Sequence, residues 1–229
     1  MCGRFTQLAS AAELVEYFDL GEPRDPSSAP PELPGPRYNV APTQEAAVCR
    51  LKDGQRRLEL LRWGFIPAGR GPGPGPLLIN ARSETAATRP AFRRAFRRRR
   101  CLIPVSGFYE WARGIGRSQP WLIRMRETKL FALAGLWKGA DRTFTVLTTA
   151  ANARVAPIHD RMPVIVAPDA IEGWLAAGPL PGPVPADAME AHPVSRRVND
   201  PRREGPECAA PLTAAEFRRS RAPSLFSFG

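Results

Sequence analysis

Short runs of apolar residues, several alternating with polar ones, dominate the chain and predict β-strands. Two runs, Ala46–Leu51 and Arg57–Trp63, flank Asp53-Gly54, a dipeptide typical of the tight turn in a β-hairpin. Four further segments have the composition of strands: Cys101–Val105, Pro120–Met125, Lys129–Lys138 and Phe144–Thr149. Many short strands with few helices predict an α+β or mainly β domain.

Helical spacing is confined to a few short segments. Ser10 and Glu13 form a capping-box pattern ahead of apolar residues at helical spacing, which predicts a helix over residues 10–20. Shorter helices are predicted over residues 90–99, presenting Phe92 and Phe96 inward, and over residues 169–177.

Two segments rich in proline or glycine, residues 21–36 and 68–76, are predicted to be loops. From about Thr213 the sequence becomes basic and loses regular periodicity. We therefore expect one domain over residues 1–212, followed by a basic flexible C-terminal tail over residues 213–229.

Composition narrows the possible partners. The chain has 229 residues and is 43% hydrophobic, without an apolar run long enough to span a bilayer. No signal peptide opens it, so we expect a cytoplasmic, nucleoid-associated protein with no membrane partner. The net charge of +11 rests almost entirely on arginine, which favours a polyanion, with nucleic acid ahead of a membrane surface.

The cysteines do not form a metal-binding or disulfide pattern. Cys2, Cys49, Cys101 and Cys208 are widely scattered, no C-x-x-C occurs, and the chain contains only two histidines. We expect no zinc site or other metal, no disulfide framework and no organic cofactor.

Cys2 follows the initiator methionine directly. If Met1 is removed, this residue carries a free α-amine, with a pKa of about 7.7–8.0, beside a thiol with a pKa of about 8.5. Such a 1,2-aminothiol can trap an aldehyde twice, first as an imine and then by ring closure to a thiazolidine. Taken alone, Cys2 favours the plainer interpretation, a small apolar residue that happens to follow Met1.

Several short segments combine polar residues with strand-forming neighbours in a way that packing alone does not require. They are Cys2-Gly3-Arg4-Phe5, Tyr38-Asn39-Val40-Ala41-Pro42-Thr43, Trp63-Gly64-Phe65-Ile66-Pro67, Ile79-Asn80-Ala81-Arg82-Ser83-Glu84-Thr85, Gly107-Phe108-Tyr109-Glu110-Trp111 and Ile158-His159-Asp160-Arg161-Met162-Pro163. In this order, over roughly residues 2–212, they closely resemble the SRAP family (SOS-response-associated peptidase).

The resemblance implies one mainly antiparallel β domain with a barrel-like core and a few flanking helices. It also implies a monomer that senses abasic sites, chiefly in single-stranded DNA, and protects the lesion during the DNA damage response. The N-terminal cysteine of such proteins attaches covalently to the open-chain deoxyribose as a thiazolidine. The family's peptidase label is linked to removal of residues before the cysteine, and lyase activity is a further expectation.

Carried onto matching positions, the resemblance implies Cys2 as the nucleophile, with Asn80, Glu110 and His159 lining the site. We expect His159 to transfer protons at the sugar hydroxyl, and Glu110 at the amine and the departing water. Asn80 would orient the amine or sugar through its amide. Local sequence leaves other interpretations open: a solvated Glu110, a salt-bridged turn histidine at 159, and a strand-end cap at Asn80.

The DNA contacts implied by the resemblance are arginines within the motifs, with nearby aromatic residues. The phosphates next to the lesion are expected to be contacted by Arg4, Arg82 and Arg161. The neighbouring bases are expected to stack on Phe5 and Trp63, although aromatic residues in strands usually pack in the core.

Other features of the DNA surface are less specific. The arginine run over residues 93–100 is a candidate electrostatic flank or simply a solvated face. Many bacterial family members have bulky aromatic residues after the segment matching Trp63–Pro67, whereas this chain has Ala68-Gly69-Arg70. An aromatic wedge beside the lesion is therefore not expected here.

Two other classes of function remain open. A cysteine peptidase acting on proteins would use Cys2, His159 and either Glu110 or Asn80. A non-covalent basic DNA-binding module would retain its affinity without Cys2.

Overall fold

A computed structural model describes residues 2–21, 29–67, 77–112, 118–139 and 141–221. The strands are β1 (Arg4–Gln7), β2 (Arg37–Val40), β3 (Glu45–Lys52), β4 (Gln55–Trp63), β5 (Asn80–Arg82), β6 (Arg100–Val105), β7 (Gly107–Ala112), β8 (Gln119–Met125), β9 (Phe131–Lys138), β10 (Thr143–Ala150), β11 (Arg161–Pro163), β12 (Ile165–Val166) and β13 (Met189–Pro193). The helices are α1 (Ala11–Phe18), α2 (Ser83–Ala86), α3 (Arg93–Arg98), α4 (Ile171–Leu175) and α5 (Ala214–Arg221).

Five strands close into a ring. β10 pairs with β4, β4 with β3, β3 with β6, β6 with β9, and β9 returns to β10. The β4–β10 pair is parallel and the other four are antiparallel. Closure leaves these five strands without a free hydrogen-bonding edge, which confirms the expected barrel-like, mainly antiparallel core.

A second sheet, in the order β13-β8-β7-β1-β2, packs on one side of this barrel. The residues between them form one apolar cluster that includes Cys2, Phe5, Trp63 and Phe108. Helices α1 to α4 cover the opposite side of the barrel strands, where a second cluster includes Trp174 of α4. Because many barrel strands are buried on both faces, their sequences read as apolar runs rather than strict alternation.

The predicted hairpin is confirmed as β3 and β4, paired from Glu45 and Arg62 to Lys52 and Gln55. Asp53 and Gly54 both have positive φ, at 50° and 75°. That backbone suits the right-handed twist of the two strands, and a glycine accepts it without steric cost.

The other predicted strands are confirmed with ends shifted by no more than two residues, as β6, β8, β9 and β10. Helix α1 begins after Ser10, whose hydroxyl accepts from the Glu13 amide at 3.3 Å while the Glu13 carboxylate accepts from the Ser10 amide at 2.7 Å. Helices also form within residues 90–99 and 169–177. The loop expected over residues 68–76, including Arg70, and residues 22–28 of the first loop lie outside the described residues.

The C-terminal segment differs from the flexible tail expected over residues 213–229. Residues 214–221 form α5, capped by Thr213, whose hydroxyl accepts from the Glu216 amide at 3.3 Å. Phe217 packs edge-on against Trp121, with ring centroids 5.7 Å apart. This contact and the hydrogen bond that the Ser220 hydroxyl donates to Gln119 Oε1 at 2.7 Å hold the helix against the second sheet. Residues 222–229 lie outside the described part of the chain.

None of the helices in the described segments is long and apolar enough to cross a membrane.

Candidate active site around Cys2

Cys2 lies just before β1 and is fully buried. Its thiol makes only a weak contact, with Sγ 3.9 Å from the Arg4 carbonyl oxygen. Burial raises the pKa of the Cys2 thiol far above its usual value, and the nearby charge of Glu110 raises it further. The sulfur is therefore held as a neutral thiol at physiological pH.

Glu110 reaches the same place from β7. This strand pairs antiparallel with β1, with Arg4 opposite Tyr109, and continuing the register by one residue brings Glu110 level with Gly3. Glu110 is only 1% exposed, so the interpretation of it as a solvated outward residue is wrong. Burial raises the pKa of its carboxyl to about 7, and the charge of Asp160 acts in the same direction.

Asn80 is hydrogen-bonded through its side chain to the backbone of Cys2. It begins β5, which pairs parallel with β10 and thereby lies beside the start of the chain. Its Nδ2 donates a hydrogen bond of 2.7 Å to the backbone carbonyl of Cys2. Its Oδ1 is buried without a hydrogen-bond partner among the described residues, which is costly for an amide oxygen. The Asn80 amide thus holds Cys2 in place and offers one open acceptor.

His159 lies in the turn before β11, with 16% of its side chain exposed. The backbone N–H of Arg161 donates to its Nδ1 at 2.9 Å, which assigns the proton of the neutral ring to Nε2. Asp160 also lies 2.9 Å from Nδ1, but an ion pair there would need a proton that the amide contact excludes. The turn thus fixes the tautomer of this histidine.

A charged pair that the sequence did not indicate joins the two segments carrying Asn80 and His159. Arg161 donates to both carboxylate oxygens of Glu84, at 2.6 and 2.9 Å, and to the carbonyl oxygen of Thr148 at 2.6 Å. Hydrogen bonding from Arg161 lowers the pKa of Glu84 to about 2. A phosphate that contacts Arg161 must therefore share it with Glu84.

The other two arginines expected at phosphates have different environments. Arg4 points inward, where Nη1 donates to Asn39 Oδ1 at 2.7 Å and to the Val198 carbonyl at 2.5 Å, and burial lowers its pKa. Arg82 is exposed and makes no side-chain hydrogen bond or ion pair within the described residues. Of the three, Arg82 is the one whose guanidinium is open to a phosphate.

The aromatic residues expected to stack on bases are core residues. Phe5 and Trp63 are fully buried with ring centroids 4.9 Å apart, and the indole N–H of Trp63 donates to the Ile79 carbonyl at 2.8 Å. A base cannot reach either ring without opening this core. We therefore assign both residues to packing beneath Cys2 instead of base stacking.

The remaining cysteines and the second histidine do not join the site. Cys49, Cys101 and Cys208 are buried and unoxidised in the apolar clusters, and His192 Nε2 lies 3.0 Å from the Ala209 carbonyl oxygen. No group of three or more histidine, cysteine or acidic side chains within the described segments is arranged to hold a metal ion.

Fold and site together define a mainly β protein in which the buried carboxyl of Glu110 and the amide of Asn80 lie beside the second residue. This chain belongs to the SRAP family: the model of that family, described as "SOS response associated peptidase", matches residues 1–201.

Curated relatives and solved structures agree with this assignment. The chain is 38% identical over 224 residues to "Abasic site processing protein YoaM" of Bacillus subtilis (strain 168), covering 90% of this chain and 96% of that relative. It is 30% identical over 231 residues to "Abasic site processing protein YedK" of Escherichia coli (strain K12), covering 93% and 100%. A crystal structure of a Bordetella bronchiseptica protein matches with a TM-score of 0.68 at 27% identity, covering 85% of this chain and all of the other.

Proposed function

We propose that this protein processes abasic sites in single-stranded DNA by linking Cys2 covalently to the lesion, after removal of Met1. The observation that carries the proposal is the buried Glu110 carboxyl beside Cys2, whose pKa of about 7 lets it both accept and return a proton near neutral pH. The abasic-site names of the relatives support the substrate class.

The first bond forms between the Cys2 amine and the aldehyde carbon of the open sugar. Attack first gives a carbinolamine, in which one amine proton has moved through Glu110 to the aldehyde oxygen. Glu110 then takes the second proton from the nitrogen and delivers it to that hydroxyl, so that one water leaves and an imine forms. The raised pKa of the thiol favours this order, because few thiolates are available to attack first.

The second bond joins Cys2 Sγ to the imine carbon. The thiol proton moves to the nitrogen, which leaves a neutral thiazolidine ring. Because the sulfur and the imine belong to one residue, this closure is intramolecular and benefits from high effective concentration. In competition, the imine also acidifies the neighbouring sugar C–H, which accounts for the lyase activity we propose beside crosslinking.

Two residues prepare the substrate. An abasic sugar is mostly a closed ring. When it opens, the anomeric hydroxyl releases a proton to solvent and the ring oxygen gains one, and the Nε2–H of His159 donates a hydrogen bond that stabilises the charge developing on the ring oxygen. Asn80, already bound to the Cys2 carbonyl, offers its buried Oδ1 to a donor on the sugar or the amine. We assign the peptidase activity in the family's description to removal of the residue before Cys2.

The remaining features of the proposal concern context. The protein acts as a cytoplasmic, nucleoid-associated monomer whose partner is abasic single-stranded DNA and which shields lesions in the DNA damage response. Action as a general cysteine peptidase is disfavoured by the neutral thiol and by the engagement of His159 Nδ1 with the backbone. A non-covalent module is disfavoured because it has no use for a buried carboxyl beside a cysteine.

The test incubates purified protein with single-stranded DNA that carries one abasic site, followed by a denaturing gel. Intact mass should show a chain that begins at Cys2, and Cys2→Ala should abolish the heat-stable adduct, whereas Cys208→Ala, a matched control at another buried cysteine, should retain it. A chain with Met1 retained that still crosslinks would refute the mechanism. Peptide cleavage by protein with a blocked N-terminus would favour the peptidase instead.

A further inference from the structure

Helix α3 presents four arginines on one exposed face. Arg93, Arg94, Arg97 and Arg98 are all exposed, and within the described segments none of them makes an ion pair or a side-chain hydrogen bond. The opposite face of the helix is apolar, with Ala95 buried against the barrel. The helix is therefore amphipathic, with a solvent side that is purely cationic.

This arrangement opposes the stability of the helix. Arg93 and Arg97, like Arg94 and Arg98, are four residues apart, a spacing at which like charges repel, and α3 contains no acidic residue. Some arginines elsewhere have an acidic partner: Arg124, for example, pairs with Glu190 at 2.6 Å. Unpaired like charges of this kind are expected at a binding surface, because a bound anion can supply the missing negative charge.

The cationic face is fixed relative to the active site. Phe92, at the start of α3, packs on Phe65 with centroids 5.6 Å apart, and Phe96 packs edge-on against Trp174 at 6.1 Å. The chain from Asn80 runs through β5 and α2 directly into this helix. The helix is thus anchored to the barrel at both ends of its inner face.

Two more exposed arginines lie between Asn80 and α3 along the chain. Arg82 ends β5, two residues after Asn80. Arg89 is exposed in the turn before α3, where its carbonyl accepts from the Phe92 and Arg93 amides at 3.0 and 2.9 Å. Neither side chain has a partner within the described residues. We call these six residues the arginine track: Arg82, Arg89, Arg93, Arg94, Arg97 and Arg98.

We propose that the arginine track binds the phosphates of the DNA strand where it continues beyond the abasic nucleotide. Guanidinium groups match phosphate oxygens in geometry, and such contacts are independent of base sequence, as a sensor of lesions in any sequence requires. The proposal rests on the proposed function for the identity of the DNA. Its physical claim, a phosphate-binding face on α3, is tested without any crosslinking.

The test compares two double variants that each remove two exposed arginines from a helix. R94Q/R98Q alters the track, and R218Q/R219Q alters α5 as the matched control. Binding to unmodified single-stranded DNA of about 30 nucleotides is followed by fluorescence anisotropy at several salt concentrations. Each lost phosphate contact reduces the slope of log K against log salt by about 0.7.

For the track variant we expect a slope that is less steep by about 1.4, which corresponds to roughly 25-fold weaker binding at 0.1 M salt if affinities converge at 1 M. The control variant should bind as the wild type does. Equal weakening in both variants would show a general effect of net charge, and unchanged binding by R94Q/R98Q would show that α3 does not contact DNA. Either result overturns the proposal.

Crosslinking separates this proposal from the one on which it rests. With an abasic oligonucleotide of about four nucleotides, too short to follow the track, all three proteins should react at the same rate. If no protein crosslinks while the salt slopes still differ, the track stands and the covalent mechanism falls. Thermal unfolding controls for misfolding, since removing like charges from α3 should leave the midpoint of R94Q/R98Q no lower than that of the wild type.

Discussion

Replacing Glu110 with glutamine should stabilise the folded protein at pH 8 while it abolishes efficient crosslinking. Glu110 is 1% exposed, and burial raises its pKa from 4.5 to about 7. Above pH 7 the folded protein must hold a charged carboxylate in an apolar site. Glutamine has nearly the same shape without the charge, so the cost disappears together with the proton-transfer function.

The magnitude follows from the pKa difference between the two states. One pKa unit corresponds to 1.36 kcal/mol, so a shift from 4.5 to about 7 corresponds to about 3 kcal/mol. Below pH 4.5 the carboxyl is neutral in both states and the full stability is present. Between 4.5 and 7 the unfolded chain loses the proton while the folded one keeps it, so stability falls as pH rises.

The assay is chemical or thermal unfolding of wild type and Glu110→Gln at pH 4 and pH 8. The gain of the variant should be about 3 kcal/mol larger at pH 8 than at pH 4, or roughly 6–12 °C in thermal midpoint for a domain of this size. Taking the difference between the two pH values removes any fixed effect of packing. Glu45→Gln, at an exposed position, controls for loss of a carboxylate as such.

A stability difference between wild type and Glu110→Gln that does not change from pH 4 to pH 8 would refute the reasoning. It would mean that Glu110 has an ordinary pKa in the folded protein. Its assignment as the group that both accepts and returns protons at neutral pH would fall with it.

Three further predictions concern the neighbouring groups. In single-turnover assays, His159→Ala should slow crosslinking of the closed-ring abasic sugar by about 10²- to 10⁴-fold. The same variant should react with a simple aldehyde nearly as fast as the wild type does. Equal slowing with both substrates would contradict a role in ring opening. Glu84→Gln should lower the unfolding free energy at pH 7 by about 1 kcal/mol, a small effect because the Glu84 side chain is half exposed in its pair with Arg161. In unfolding titrations, the stabilisation by this pair should vanish as pH falls from about 4.5 to about 2. Affinity for single-stranded DNA should fall with salt at a logarithmic slope of about −4 if the six arginines of the track each neutralise one phosphate, and a flat response would exclude the basic surface.

Local patterns predicted most of the elements because their signals are physically local. The Asp53-Gly54 turn and the Ser10–Glu13 capping box act within a few residues, and both occur in the structure as predicted. Thr213 and Glu216 carry the same capping signal at the start of α5. The basic composition of that segment obscured it, because this helix is attached by Phe217 and Ser220 and has no regular apolar face.

Contacts between segments far apart in sequence could not be predicted from local patterns. The motif segments indicated Cys2, Asn80, Glu110 and His159, but nothing local could show that Glu110 is buried, because β7 is covered on both faces at this point. The pairing of Glu84 with Arg161 spans 77 residues of sequence. Such contacts depend on which strands become neighbours in the barrel, and that is a property of the whole fold.

The difference between local and long-range contacts also explains which of the expected DNA-binding residues are exposed in the structure. Phe5 and Trp63 pack in the same apolar cluster as Cys2, where burial perturbs the thiol and Glu110. Arg4 is instead held by Asn39 and the Val198 carbonyl. The exposed arginines of α3 lie outside the motifs and carry the unpaired charge. If both proposals hold, the chemistry and most of the DNA affinity rest on different residues. Substitutions in α3 should then alter salt-dependent binding, and substitutions at Glu110 should alter the crosslinking rate on bound DNA.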